Sequence, residues 1–113
     1  MLSTEDETPR RRAGGRTVAD FSGTQLRAYR TAARLMQDEL GQMAGVSRGE
    51  IGHLELAHRK PTLKTLRNLE HALTVRAGWL QDLPSGTHET NLEEYKTKLA
   101  DDIEAEAEAR EAV

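Results

Sequence analysis

The chain has 113 residues, of which 36% are apolar, 4% aromatic and 31% charged, and it contains no cysteine. That length suits one small domain with tails, and so few aromatics require a core of aliphatic and small side chains. The lack of cysteine excludes a disulfide framework and thiolate metal sites and fits a reducing compartment. No run approaches the roughly 20 apolar residues of a membrane span.

The formal net charge of −3 conceals an uneven distribution. Residues 1–23 hold four basic and four acidic groups, residues 24–83 nine Lys/Arg against six Asp/Glu, and residues 84–113 three against nine. A basic middle followed by an acidic end suits a nucleic-acid-binding domain with an acidic appendage.

Residues 1–20 contain Glu5-Asp6-Glu7, Pro9-Arg10-Arg11-Arg12 and Gly14-Gly15-Arg16. With almost nothing apolar to bury, this segment predicts a disordered arm, and it lacks the apolar run of a signal peptide. Arg10, Arg11, Arg12 and Arg16 either enter a minor groove or remain a solvated tail.

Helical periodicity begins at residue 21 and defines a domain over 21–84. A first helix starts after Ser22 and runs to about Arg34, burying Leu26, Tyr29 and Ala33 with Phe21 as a staple. A second, near 36–44, places Met36, Leu40, Met43 and Ala44 on one face. Gly41 falls inside it, where glycine costs about 1 kcal/mol relative to alanine unless another element approaches closely. Gly45 allows a sharp turn.

Ser47 then caps a third helix near 48–56, with Glu50 completing a capping box. Ile51 and Leu54 face inward, which leaves Arg48, Gly49, Gly52 and His53 on other faces. After the basic loop Ala57–Pro61, Thr62 caps a fourth helix with Leu63, Leu66, Leu69 and Leu73 on one side. A short fifth helix near 76–82 is expected to lay Trp79, Leu80 and Leu83 on the core.

Residues 85–113 form an acidic tail. Thr90 and Glu93 predict a capping box opening a helix over 91–109, with Leu92, Tyr95, Leu99 and Ile103 as a thin stripe. The tail from 89 onward is therefore expected to serve pairing or partner binding more than monomer folding. The expected fold is all-α: a compact four- to five-helix domain with a C-terminal acidic helix.

The segment from Thr24 to Leu80 resembles the phage repressor/Cro-like (Xre) helix-turn-helix family. The resemblance rests on Leu26, Arg27, Gln37, Leu40, Gly45, Val46, Ser47, Ile51 and Leu54–Glu55, and continues through Pro61, Leu66, Ala72–Leu73 and Val75. It implies a sequence-specific transcriptional regulator, most simply a cytoplasmic, nucleoid-associated repressor. Its partners would be double-stranded DNA, as an inverted repeat, and a second copy of itself.

By that resemblance Arg48, Gly49 and His53 meet base edges, while Gln37, Ser47, Arg59, Lys60 and Lys64 meet the sugar-phosphate backbone. Arg30 and Arg34 are weaker backbone candidates, and Glu55 pairs with an arginine of the first helix. Met36 departs from the family, which usually has Ser or Thr there. Dimer contacts are expected among Trp79, Leu80, Leu83, Leu92, Tyr95 and Leu99, although the indole itself is expected rather to complete the monomer core.

The alternative is an antitoxin-like interaction module whose acidic C-terminal helix binds a protein. His53 and His58 lie five apart, not the i,i+4 of a helical zinc pair, and His71 and His88 are scattered. No catalytic set, metal site or cofactor is expected.

Overall fold

The computed structural model describes residues 16–111. Its elements are α1 (Gly23–Ala32), α2 (Gln37–Ala44), α3 (Arg48–Glu55), α4 (Leu63–Leu73) and α5 (Thr87–Glu111), and the fold is all-α. Two isolated antiparallel bridges, Thr17 with Thr62 and Phe21 with Gln81, tie the segment before α1 to the domain. There is no strand among the described residues.

Short hydroxyl side chains start three of the helices. Ser22 Oγ accepts from the Gln25 amide (3.2 Å), Ser47 Oγ from Glu50 (3.0 Å) and Thr62 Oγ1 from Thr65 (3.2 Å), satisfying amides that lack a helical partner. Only half of the expected box at Ser47 forms, because the Glu50 carboxylate turns to Arg59 (3.2 Å). Met36 caps nothing. Instead Glu39 Oε1 reaches back and accepts from the Met36 amide at 2.7 Å.

The core gathers Phe21 from the segment before α1, Leu26 and Tyr29 from α1, Leu40 and Ala44 from α2, Ile51 and Leu54 from α3, and Leu66, Leu69 and Leu73 from α4. Two glycines permit the close approaches. A Cβ on Gly41 would lie 2.6 Å from the Val46 carbonyl oxygen, and one on Gly23 only 2.1 Å from that of Leu54. Both clashes are with backbone, so α1 and α2 can seat against α3 and its preceding turn only with glycine at these positions.

The expected helix over 76–82 is not formed. Two successive turns occupy it, Trp79 N to Arg76 O and Gln81 N to Gly78 O, both 3.1 Å. Gly78 sits at φ 91°, outside helical space, and its amide donates to the buried Glu70 carboxylate at 2.9 Å. Fixing that amide to a side chain of α4 turns the chain and delivers Leu80 to the core. Trp79 stacks on Tyr29, with ring centroids 5.8 Å apart, and Arg76 lies 5.6 Å over the indole.

The last helix also starts earlier than its sequence cap suggests. Thr87 N bonds to Pro84 O, Gly86 turns at φ 88°, and Thr90 lies inside the helix with Oγ1 bonded back to Gly86 O. Thr90 therefore does not cap. The first half of α5 belongs to the monomer: Tyr95 meets Tyr29 edge-on at 5.0 Å and its hydroxyl donates to Leu73 O at 2.7 Å. These contacts give the first half of α5 a part in the monomer core, beside the pairing or partner binding expected of the tail. From Ala100 to Arg110 every residue is exposed, so a helix about 37 Å long stands half free of the domain.

Candidate nucleic-acid interface

α2 and α3 meet at a turn made by Gly45, in the left-handed region at φ 76°, and by Val46 and Ser47. The inner side of α3 is fully committed, with Ile51, Leu54 and Glu55 buried. Its outer side presents Arg48, Gly49 and His53, all exposed, with the half-buried Gly52 between them. Gly49 and Gly52 leave that surface low along one line, so a convex partner can approach the backbone.

One carboxylate fixes the position of α3. Glu55 is almost completely buried and receives Arg30 through Nε to Oε2 and through Nη2 to Oε1 (3.1 Å). Gln37 Nε2 donates to the same Oε1 at 3.1 Å, and Arg30 Nη1 also reaches Leu35 O at 2.8 Å. Desolvating a charge is costly unless it is paired and hydrogen-bonded. Here Arg30 from α1 and Gln37 from α2 meet that need and lock the three helices together. Arg30 is thereby withdrawn from the set of backbone-contacting candidates, whereas Arg34 is exposed.

Gln37 accordingly braces α3, with one amide hydrogen committed to Glu55. At the start of α2 the Gln37 and Asp38 amides have no partner within the helix, while Glu39 N is taken by Asp38 Oδ1 at 3.0 Å. A cleft of about 390 Å³ opens there, lined by Arg30, Leu35, Met36, Gln37, Asp38 and Arg48. It joins the amide end of α2 to the first side chain of α3.

The basic residues after α3 differ in freedom. Lys64 is exposed on the first turn of α4. Arg59 is exposed and ion-paired to Glu50. Lys60 is half-buried, and its ammonium donates to Phe21 O at 2.9 Å, an attachment across the fold that sequence spacing did not signal. Ser47 is exposed with its hydroxyl engaged as the cap. Arg16 is exposed at the start of the described residues, and Arg10, Arg11 and Arg12 lie outside them.

Among the expected dimer contacts, Leu80 is fully buried and Tyr95 nearly so. Both are spent inside one copy and cannot form a pairing surface. Trp79, Leu83, Leu92 and Leu99 are partly buried, while Ile103 is 62% exposed.

The helix-turn-helix family matches residues 26–80 of this chain. A solved structure of the P22 c2 repressor protein, in complex with synthetic operator 9T in the presence of Tl+, is similar at 32% identity and a TM-score of 0.51. The match spans 53% of this chain and 91% of that one. The chain belongs to the repressor/Cro-like helix-turn-helix family. No curated protein matches it. As a repressor-like helix-turn-helix protein it has DNA-binding, transcription-regulatory character and a non-catalytic domain. In this family member no helix among the described residues is long and apolar enough to cross a membrane.

Proposed function

We propose that the chain is a sequence-specific transcriptional repressor that binds an inverted-repeat operator as a homodimer. The observation that carries this reading is the exposed outer side of α3. Arg48, Gly49 and His53 are exposed while the helix beneath them is pinned through Glu55 by Arg30 of α1 and Gln37 of α2. Arginine can donate two hydrogen bonds to the N7 and O6 edge of guanine, and a histidine can donate to a base acceptor or a phosphate. Gly49 contributes no side chain and lets the helix sit deeper in the major groove.

Lys64, Arg59 and the remaining N–H groups of Lys60 lie on the segment that follows α3, where phosphate contacts add affinity without sequence information. The free α2 amides beside Gln37 would donate to a phosphate, as the positive end of a helix does. A relative 32% identical has been seen on an operator, which supports DNA as the ligand.

A second reading has one observation in its favour. The free half of α5 carries Asp101, Asp102, Glu104, Glu106 and Glu108 with the exposed Ile103, the surface of a helix that would dock on a basic protein. Selection of DNA by the full-length chain from a random pool separates the two. The repressor reading expects an inverted repeat with half-sites about 34–36 Å apart. Recovery of no preferred sequence, together with a stable protein complex through α5, would favour the interaction module.

A further inference from the structure

The sequence separates His53 and His58 by five residues, but the chain does not continue as a helix between them. α3 ends in a Schellman arrangement, with Ala57 N bonded to Leu54 O (3.2 Å) and His58 N to His53 O (2.9 Å). Ala57 takes the left-handed conformation at φ 63°. This motif brings the second residue past the cap against the residue three from the helix end, a contact usually filled by two apolar side chains. Here it is filled by two imidazoles. Their Nδ1 atoms face each other at 3.4 Å, their ring centroids are 5.6 Å apart, and both residues are exposed.

That separation is the one a chelated ion requires. Two imidazole nitrogens about 2.0–2.1 Å from a tetrahedral Zn2+ stand roughly 3.3–3.4 Å from each other. We propose that His53 and His58 form a two-nitrogen site for a divalent transition-metal ion of the zinc class, and that the bound ion strengthens DNA binding. The second half rests on the operator-binding reading of α3.

Neutral imidazole is the metal-binding form, and each ring carries one proton. In the metal-free pair either Nδ1–H can donate to the other Nδ1, the direction being set by the tautomers. On binding, each ring holds its proton on Nε2, so both Nδ1 lone pairs are available to the ion. The neighbouring Arg59 has its charge directed to Glu50, which moderates its repulsion of a cation. No third His, Cys, Asp or Glu completes the site among the described residues, so two coordination positions stay open on the surface that presents Arg48. A phosphate oxygen or guanine N7 can occupy an open position there, and the ion adds two positive charges to the DNA-facing side.

The test uses the full-length, metal-stripped chain and Zn2+ alone, followed by calorimetry and by the histidine ring signals in NMR. Saturable uptake of one ion is expected, moving the signals of His53 and His58 and leaving those of His71 and His88. His58→Ala alters an exposed loop residue outside the proposed DNA contacts and should abolish uptake, whereas His71→Ala should retain it. Equal uptake by wild type and His58→Ala, or unmoved His53 and His58 signals at saturation, would overturn the site. On duplex DNA, Zn2+ should tighten binding by wild type and not by His58→Ala, and unchanged wild-type affinity would overturn the coupling. If the metal-free chain binds no duplex at all, the operator reading fails, and the titration without DNA still decides the site.

Discussion

Lys60 shows how a residue can serve two surfaces. Its ammonium holds the Phe21 carbonyl and so ties the loop after α3 to the segment before α1, and only one of its three hydrogens is needed for that bond. Lys60→Ala should therefore flatten the salt dependence of DNA binding by about one unit and also lower stability by about 1 kcal/mol. Paired salt titrations and denaturant unfolding would report both, and an unchanged unfolding midpoint would rule out the structural half. Only the charge of Lys60 was legible in the sequence. Its carbonyl partner is 39 residues away, and no spacing rule connects them. Gly41 was legible, because a glycine inside a helix signals close backbone approach and Val46 O supplies it. The His53–His58 contact was not, because the left-handed position between them is filled by Ala57 rather than the glycine that ordinarily marks such a turn.

Among the elements, α3 depends on an anchor outside its own hydrophobic stripe. Glu55→Ala would leave the Arg30 guanidinium, with a side chain only 12% exposed, without its buried partner. Losing one member of such a pair typically costs about 3–5 kcal/mol, and denaturant unfolding should show a loss of that size. The docking of α5 makes a separate prediction. Burial, then Tyr95 and Glu94, push the Tyr29 phenol up to about 12, and burial also raises Tyr95 against a lowering hydrogen bond from Thr74. In the unfolded chain both phenols ionise near the ordinary value of about 10. The stability Tyr29 contributes is thus fully present below about pH 10 and is lost as pH rises through about 12, and that of Tyr95 is likewise lost as pH rises above its ordinary value. These are the only two tyrosines, so phenolate absorbance reports them alone. Both should ionise only as helix content falls, and ionisation near pH 10 with the fold intact would contradict the packing described. The helices with a short hydroxyl cap were readable from sequence. The segment 76–82 was misread because Glu70 captures the Gly78 amide from another helix, and Thr90 because its hydroxyl found Gly86 O within α5.

At the scale of the molecule, a basic, pinned domain carries an acidic helix whose residues from Ala100 to Arg110 are all exposed in the monomer. A chain ending at Ala100 should keep its thermal stability, and it should bind DNA more tightly at low salt because Asp101, Asp102, Glu104, Glu106, Glu108 and Glu111 are gone. Removal from Thr87 onward should lower the melting temperature by uncovering Tyr29 and Leu73. Thermal unfolding of the two truncations distinguishes a partner-facing end from a folding element, and equal losses would contradict the division at Ala100. The central claim, that the outer side of α3 reads base sequence, is tested most directly by measuring wild type and Arg48→Ala on the selected operator, on its single-base variants and on random duplex. The account predicts that Arg48→Ala loses about 1–3 kcal/mol of preference at one base pair of each half-site while keeping its affinity for random duplex. An equal loss on operator and random DNA would contradict it.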